Sequence, residues 1–215
     1  MDIACEGLLF DNDGVLVDSD LGVDLAWSTW AMAHGLDPGQ VTAMVHGRRS
    51  ADTVALLVPD PARRPAALAG IDRLEIEAAA TTTALPGALD LLTSLPRDRW
   101  AVVTSGVTAL ARARLTAANL PVPPVFITAD DVSHGKPAPD GYLAAAAGLG
   151  VDPARTVVLE DSAAGVTAGE AAGAHVIGVG PRGLDTGAPV VVRDLRGLIW
   201  HDGVLDLGAA VLLRS

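Results

Sequence analysis

The sequence predicts an α/β protein, a Rossmann-like parallel sheet with an all-helical segment inserted just after the first strand. Short apolar, β-branched runs recur along the chain, separated by small-residue helical stretches, which is the pattern of a parallel sheet covered on both faces. Residues 20–84 break that pattern with consecutive helical stretches and no strand. The runs also end on chemically reactive residues, as the carboxyl edge of a parallel sheet requires of a site.

Taken in order, the first run is IACEGLLF (3–10). The helical segment follows, reading DLGVDLAWSTWAMAHG, SADTVALLV and PARRPAALAGIDRLEIEAAATTT; Trp27 and Trp30, three apart, share one helical face and are expected in its core. Leu85-Pro86-Gly87 punctuates the return. Strands are then expected at WAVVT (100–104), PVFIT (124–128), TVVLE (156–160), HVIGVG (175–180) and VVV (190–192), with TALARARLTAANL, PDGYLAAAAGLG and SAAGVTAGEAAGA as helices between them. The expected division is a core of 1–17 and 85–215 and a helical cap of 18–84.

Composition narrows the function. A chain of 215 residues with 50% hydrophobic content can bury one substantial core plus a small lobe. Mean hydropathy is +0.37, yet no apolar run approaches the ~18 residues of a membrane span, and no signal segment is evident at the N-terminus. Cys5 is the only cysteine, so a reducing cytoplasm is the expected setting and Cys5 reads as a core residue. A net charge of −11 argues against nucleic acid as a partner and means that an anionic substrate must be held by local positive groups or a metal. Among the 15 basic residues Lys136 is the only lysine, which suggests a specific task for it.

The strand ends gather a particular set. The first run delivers Asp11 and Asp13, the second Thr104 and Ser105, the third leads into the loop holding Lys136, and the fourth delivers Glu160 and Asp161. Four carboxylates at one edge need a compensating charge, and oxygen ligands suit Mg²⁺; the dispersed histidines and single cysteine offer no zinc spacing. An ionised aspartate beside Mg²⁺ is a plausible nucleophile, and the metal with a lysine would draw in a phosphate. The residues point to Mg²⁺-dependent phosphoryl chemistry.

DNDGVLVDS (11–19) resembles the D-x-D-G-[TV]-L-[VI]-D-S signature of the haloacid dehalogenase superfamily; VVTSG, HGKPAPDGY and VVLEDSAAGV resemble its later motifs, in order. The resemblance implies that Asp11 attacks the phosphoryl group and that Asp13 serves as acid, then as base. It further implies that Asp11, the Asp13 backbone carbonyl and Asp161 bind Mg²⁺, with Glu160 a ligand or an acceptor behind the ligands. Thr104 and Lys136 would hold phosphoryl oxygens, and Gly14 would let the backbone turn off the strand. Asp18 reads as a cap or hinge of the first inserted helix.

Local residues separate the superfamily's reactions. Asp13 is absent from dehalogenases, and the helical segment has no lysine for a Schiff base. β-Phosphoglucomutases of this type carry a histidine four residues beyond the hydroxyl residue that closes the first motif; here that position is Val23, which favours hydrolysis. AMVHGRRSADT resembles a region of bacterial sugar-phosphate phosphatases and fungal glycerol-phosphate phosphatases, implying a small phosphorylated sugar or polyol as substrate. His46, Arg48 and Arg49 from the cap, with Ser105 and Gly106 from the core, are the candidate substrate contacts. GVGPRG (178–183) fits G-x-G-x-x-G but is expected to be a turn leading into LDTGAP, without the helix a dinucleotide site needs. A non-catalytic binding role on this fold is disfavoured by the presence of both Asp11 and Asp13.

Overall fold

The computed structural model describes residues 1–215. The chain begins with β1 (Asp2–Ala4), β2 (Gly7–Phe10) and the two-residue β3 (Val17–Asp18). Four helices follow: α1 (Asp20–Ala33), α2 (Pro38–Val45), α3 (Ser50–Leu57) and α4 (Arg64–Ala78). The strand β4 (Thr83–Ala84) then pairs antiparallel with β3, so entry to and exit from the helical segment lie side by side. The rest alternates: α5 (Ala88–Ser94), β5 (Trp100–Val103), α6 (Thr108–Ala117), β6 (Val125–Ile127), α7 (Asp140–Leu149), β7 (Thr156–Glu160), α8 (Ala163–Ala171) and β8 (His175–Val179). Last come α9 (Gly180–Gly183), β9 (Val190–Val192), β10 (Ile199–His201), β11 (Val204–Asp206) and β12 (Leu212–Arg214).

Seven strands form one sheet in the order β12-β9-β8-β7-β2-β5-β6, all parallel except the edge strand β12. Its middle strands are buried on both faces, which is why they read as continuous apolar runs. One face packs Leu8, Phe10, Trp100 and Val102 against α5 and the C-terminal segment; the other packs Leu9, Ala101, Val103 and Val158 against α7 and α8. The helices α1–α4 have a core of their own, built on Trp27, Trp30, Val41, Val54 and Ile71, with the Trp30 indole donating to the Ala67 carbonyl. No helix is long and apolar enough to cross a membrane.

The first run differs from expectation, because it is two strands rather than one. Residues 2–4 leave the main sheet and join β11 and β10 in a small antiparallel sheet. The break falls at Cys5 and Glu6, whose amides bond to Gly203 and Arg155 outside the parallel ladder. The segment 199–206 was not expected as strand. Its Asp202-Gly203 pair, both at positive φ, closes a two-residue hairpin.

Candidate active site

The placement of the site follows from strand order. β2 lies between β7 and β5, so Asp11, Asp161 and Thr104 leave the sheet at the same edge, where the connections diverge to opposite sides. Just past β2 the chain turns tightly, the Leu16 and Val17 amides both donating to the Asn12 carbonyl. Gly14 makes that turn at φ 82°, and a Cβ there would overlap the Asp161 carboxylate, so only glycine fits.

Lys136 lies at the centre of the acidic cluster. Its ammonium donates to Asp11 Oδ1 and to Glu160 Oε1, each at 2.5 Å, and to the Val103 carbonyl at 3.1 Å, which uses all three N–H groups. Glu160 has no solvent exposure and is saturated: Tyr142 and Lys136 donate to Oε1, while the Asp161 and Ser162 amides and the Ser162 hydroxyl donate to Oε2. Gly165 of α8 leaves the space that Glu160 fills, since a Cβ at 165 would coincide with the carboxylate. Burial opposes charge on Lys136, but the Asp11 and Glu160 carboxylates outweigh it and hold the ammonium well above its ordinary pKa. Burial likewise pushes Asp11 well above the usual carboxylate range, against the pull of Lys136 and with that of the neighbouring acids. Asp161 is pushed up to about 7 by burial and by Glu160, with Arg182 opposing. Oxygens of Asp11, Glu160 and Asp161 all lie within 4.8 Å of one another, a set of hard donors of the kind a divalent cation takes.

Above this cluster is a cavity of about 60 Å³ between the sheet edge and the helices. Its wall includes Asp11, Asp13, Thr104, Ser105, Gly106 and Asp161 from the core and His46 and Arg48 from the helical segment. Asp13 accepts from Ser19 Oγ at 2.6 Å and lies 3.0 Å from Arg114 Nη1. Thr104 Oγ1 accepts the Gly106 amide at 3.0 Å, which leaves its own proton free, and Ser105 Oγ donates to the Gly47 carbonyl across to the helices. His46 lies 3.9 Å from both Asp20 and Asp24 on α1. Arg49 is not in this cavity. It pairs with Asp52 and extends to the Val132 and Ser133 carbonyls, spanning from the helices to the Lys136 loop. Asp18 accepts the Asp20 amide at the start of α1.

Three residues at the site were not singled out from the sequence. Arg114 of α6 pairs with both Asp13 and Glu75 of α4, at 3.0 and 3.2 Å, and both partners of the second pair are buried. Glu75 had a sequence signal: with Ala67 and Ile71 it forms the buried stripe of α4 at a spacing of four, and it is the one charged member. Arg182 had a weaker one. GVGPRG is not a bare turn as expected, because Gly180–Gly183 makes one helical turn that aims Arg182 at Asp161 Oδ2 (2.8 Å from Nε) and at Asp20 (2.8–2.9 Å from Nη1). With Pro181 inside it and only four residues, that turn offers no dinucleotide site.

Residues 5–173 match the family model described as haloacid dehalogenase-like hydrolase. The chain belongs to the haloacid dehalogenase-like hydrolases. It is 49% identical over 180 residues to hexitol phosphatase A of Escherichia coli, covering 81% of this chain and 83% of that protein. Identity to glycerol-1-phosphate phosphohydrolase 2 of Saccharomyces cerevisiae is 35% over 186 residues, covering 80% of this chain and 73% of that one. Among solved structures, a hydrolase from Pseudomonas syringae superposes with a TM-score of 0.79 at 25% identity, covering 89% of this chain and 94% of the other. A β-phosphoglucomutase from Clostridium difficile also gives 0.79, at 21% identity over 91% and 94% of the two chains, which speaks to the shared fold. In this haloacid dehalogenase-like hydrolase the matched region includes every strand-end residue named above.

Proposed function

We propose that the protein is a Mg²⁺-dependent phosphatase of small sugar or polyol phosphate monoesters, working through an aspartyl-phosphate on Asp11. The observation that carries this reading is the position of Asp11: bonded to the only lysine, beside Asp161, and under a cavity that Asp13 also lines. The relatives named as hexitol and glycerol-phosphate phosphatases support the substrate class.

Asp11 Oδ attacks phosphorus, and the P–O bond to the leaving alcohol breaks as Asp13 gives that oxygen a proton. Asp13, now a carboxylate, takes a proton from water; the hydroxide attacks the phosphorus, and the bond to Asp11 breaks to release inorganic phosphate. Asp11, Asp161 and the Asp13 backbone carbonyl would hold Mg²⁺ in this reading, since their oxygens are hard donors and the first two belong to the clustered set. When bound, Mg²⁺ supplies neutralisation of the carboxylates and polarisation of a phosphoryl oxygen. Of the two roles open to Glu160, the saturation of its oxygens supports that of acceptor behind the ligands. Lys136, with its three donors engaged, orients Asp11 and adds positive charge, while the free Thr104 proton is available to a phosphoryl oxygen. Val23 lines the cavity as an apolar side chain where a mutase of this type would carry its histidine.

The test is phosphate release across hexose, pentose, polyol and nucleotide monophosphates, with and without Mg²⁺. Release from sugar or polyol esters that requires Mg²⁺ and disappears in Asp11→Asn is expected. Conversion of β-glucose 1-phosphate to glucose 6-phosphate without phosphate release would establish a mutase instead.

A further inference from the structure

The mechanism above leaves one buried charged pair unused. Glu75 and Arg114 are each about 95% removed from solvent, at 5% exposure, and join the helical segment to the core. A buried ion pair is weak as a stabilising device, since a well-packed apolar pair of the same size is often as good or better. α4 could carry an apolar residue at 75, as it does at 67 and 71.

Both side chains face the cavity over Asp11, whose wall is largely polar, with Val23, Trp27, Val45 and Leu110 the apolar exceptions. Glu75 receives Ser50 Oγ on Oε2 at 2.8 Å and Arg114 Nη2 on Oε1 at 3.2 Å. A carboxylate offers about four lone-pair sites, so about half its accepting capacity is unfilled within the cavity. Arg114 also has donors beyond those given to Asp13 and Glu75. Glu75 lies one guanidinium away from Asp13, the group that protonates the leaving oxygen. A leaving alcohol that reaches Asp13 in this cavity would therefore also meet the Arg114–Glu75 pair.

We propose that Glu75, held by Arg114 and Ser50, accepts hydrogen bonds from hydroxyl groups of the substrate's leaving alcohol and so selects polyhydroxylated esters over plain ones. The inference rests on the phosphatase reading and adds to it the residue that discriminates. A site with an unfilled buried acceptor penalises an ester that lacks the hydroxyl, because desolvating the carboxylate is then uncompensated.

The experiment measures kcat/KM for sorbitol 6-phosphate and for n-hexyl phosphate, an alkyl ester that needs the same protonation of its leaving oxygen but has no hydroxyl on its leaving group, in the parent, Glu75→Gln and Ser50→Ala. The readout is the ratio of the two. Any loss transmitted through Arg114 to Asp13, or through the fold, affects both esters and cancels. The ratio is expected to fall about 10- to 100-fold in Glu75→Gln and by a smaller factor in Ser50→Ala, which leaves the carboxylate but frees it to rotate. Partial recovery in Glu75→Asp is also expected. A ratio within threefold of the parent in both variants overturns the assignment while leaving the phosphatase intact. A parent enzyme that hydrolyses n-hexyl phosphate but prefers it to sorbitol 6-phosphate overturns the polyol reading, and the role of Glu75 with it.

Discussion

Replacing Lys136 with methionine keeps the length of the side chain and removes its charge, leaving Asp11, Glu160 and Asp161 in a buried cluster with no ammonium among them. All three carboxylates are nearly or fully excluded from water. Breaking a buried pair by deleting one partner costs about 3–5 kcal/mol, and here one nitrogen serves two acids. For a chain of this length each kcal/mol moves Tm by about 2–4 °C, so Lys136→Met should melt about 6–20 °C below the parent in EDTA. Thermal unfolding followed by circular dichroism reads this directly. Added Mg²⁺ should raise the variant's Tm more than the parent's, because the ion then supplies the only local positive charge in contact with Asp11. Adding Asp11→Asn to Lys136→Met should recover part of the loss, since one repelling carboxylate is gone. A variant that melts within about 2 °C of the parent in EDTA would refute the electrostatic account of the cluster, as would equal Mg²⁺ shifts in both proteins.

Gly165→Ala should destabilise by about 1–3 kcal/mol and lower kcat together with Tm, because the new methyl displaces the Glu160 carboxylate that holds Lys136; normal kcat in a folded variant would break the link from Glu160 through Lys136 to Asp11. Arg49→Ala should lower kcat/KM by about 2- to 10-fold, the worth of one or two hydrogen bonds, since the contacts to Val132 and Ser133 fasten the helices over the site. A change in Tm with kcat/KM intact would assign those contacts to the fold alone. Arg196 donates to Asp194 and holds its carboxyl below the usual carboxylate range, so this pair adds stability above the unfolded-state pKa of about 3.9 and loses it as pH falls through the lower folded-state value. The Tm gap between the parent and Arg196→Gln should therefore narrow on acidification; a gap that widens would reverse the sign of the contribution.

The parallel strands were legible because burial on both faces leaves only apolar, β-branched residues, as in Leu8-Leu9-Phe10 and Val157-Val158-Leu159. Asp11, Thr104, Lys136 and Asp161 were legible for a related reason: each follows such a run, and parallel strands bring their carboxyl ends to one edge. The hairpin at 199–206 was passed over although Asp-Gly between short apolar segments is a strong turn signal, because its strands are three residues long and half exposed, too short for alternation to register.

Glu75, Arg114 and Arg182 were missed for a different reason. A charged residue in a helical stretch reads as solvated unless something shows where the helix faces, and the partners of these three are distant in sequence: Glu75 and Arg114 are paired across 39 residues, and Arg182 reaches Asp20 across 162. Pairing of that kind is a tertiary fact. Periodicity still holds part of it. In α4 a carboxylate takes the third place in a stripe begun by Ala67 and Ile71, and in α6 Arg114 sits among the buried Leu110, Ala111 and Leu115. Two charges of opposite sign, each alone in an apolar stripe, call for one another in a fold that has to bury both, and a pocket that needs both a donor and an acceptor is where such a pair is useful.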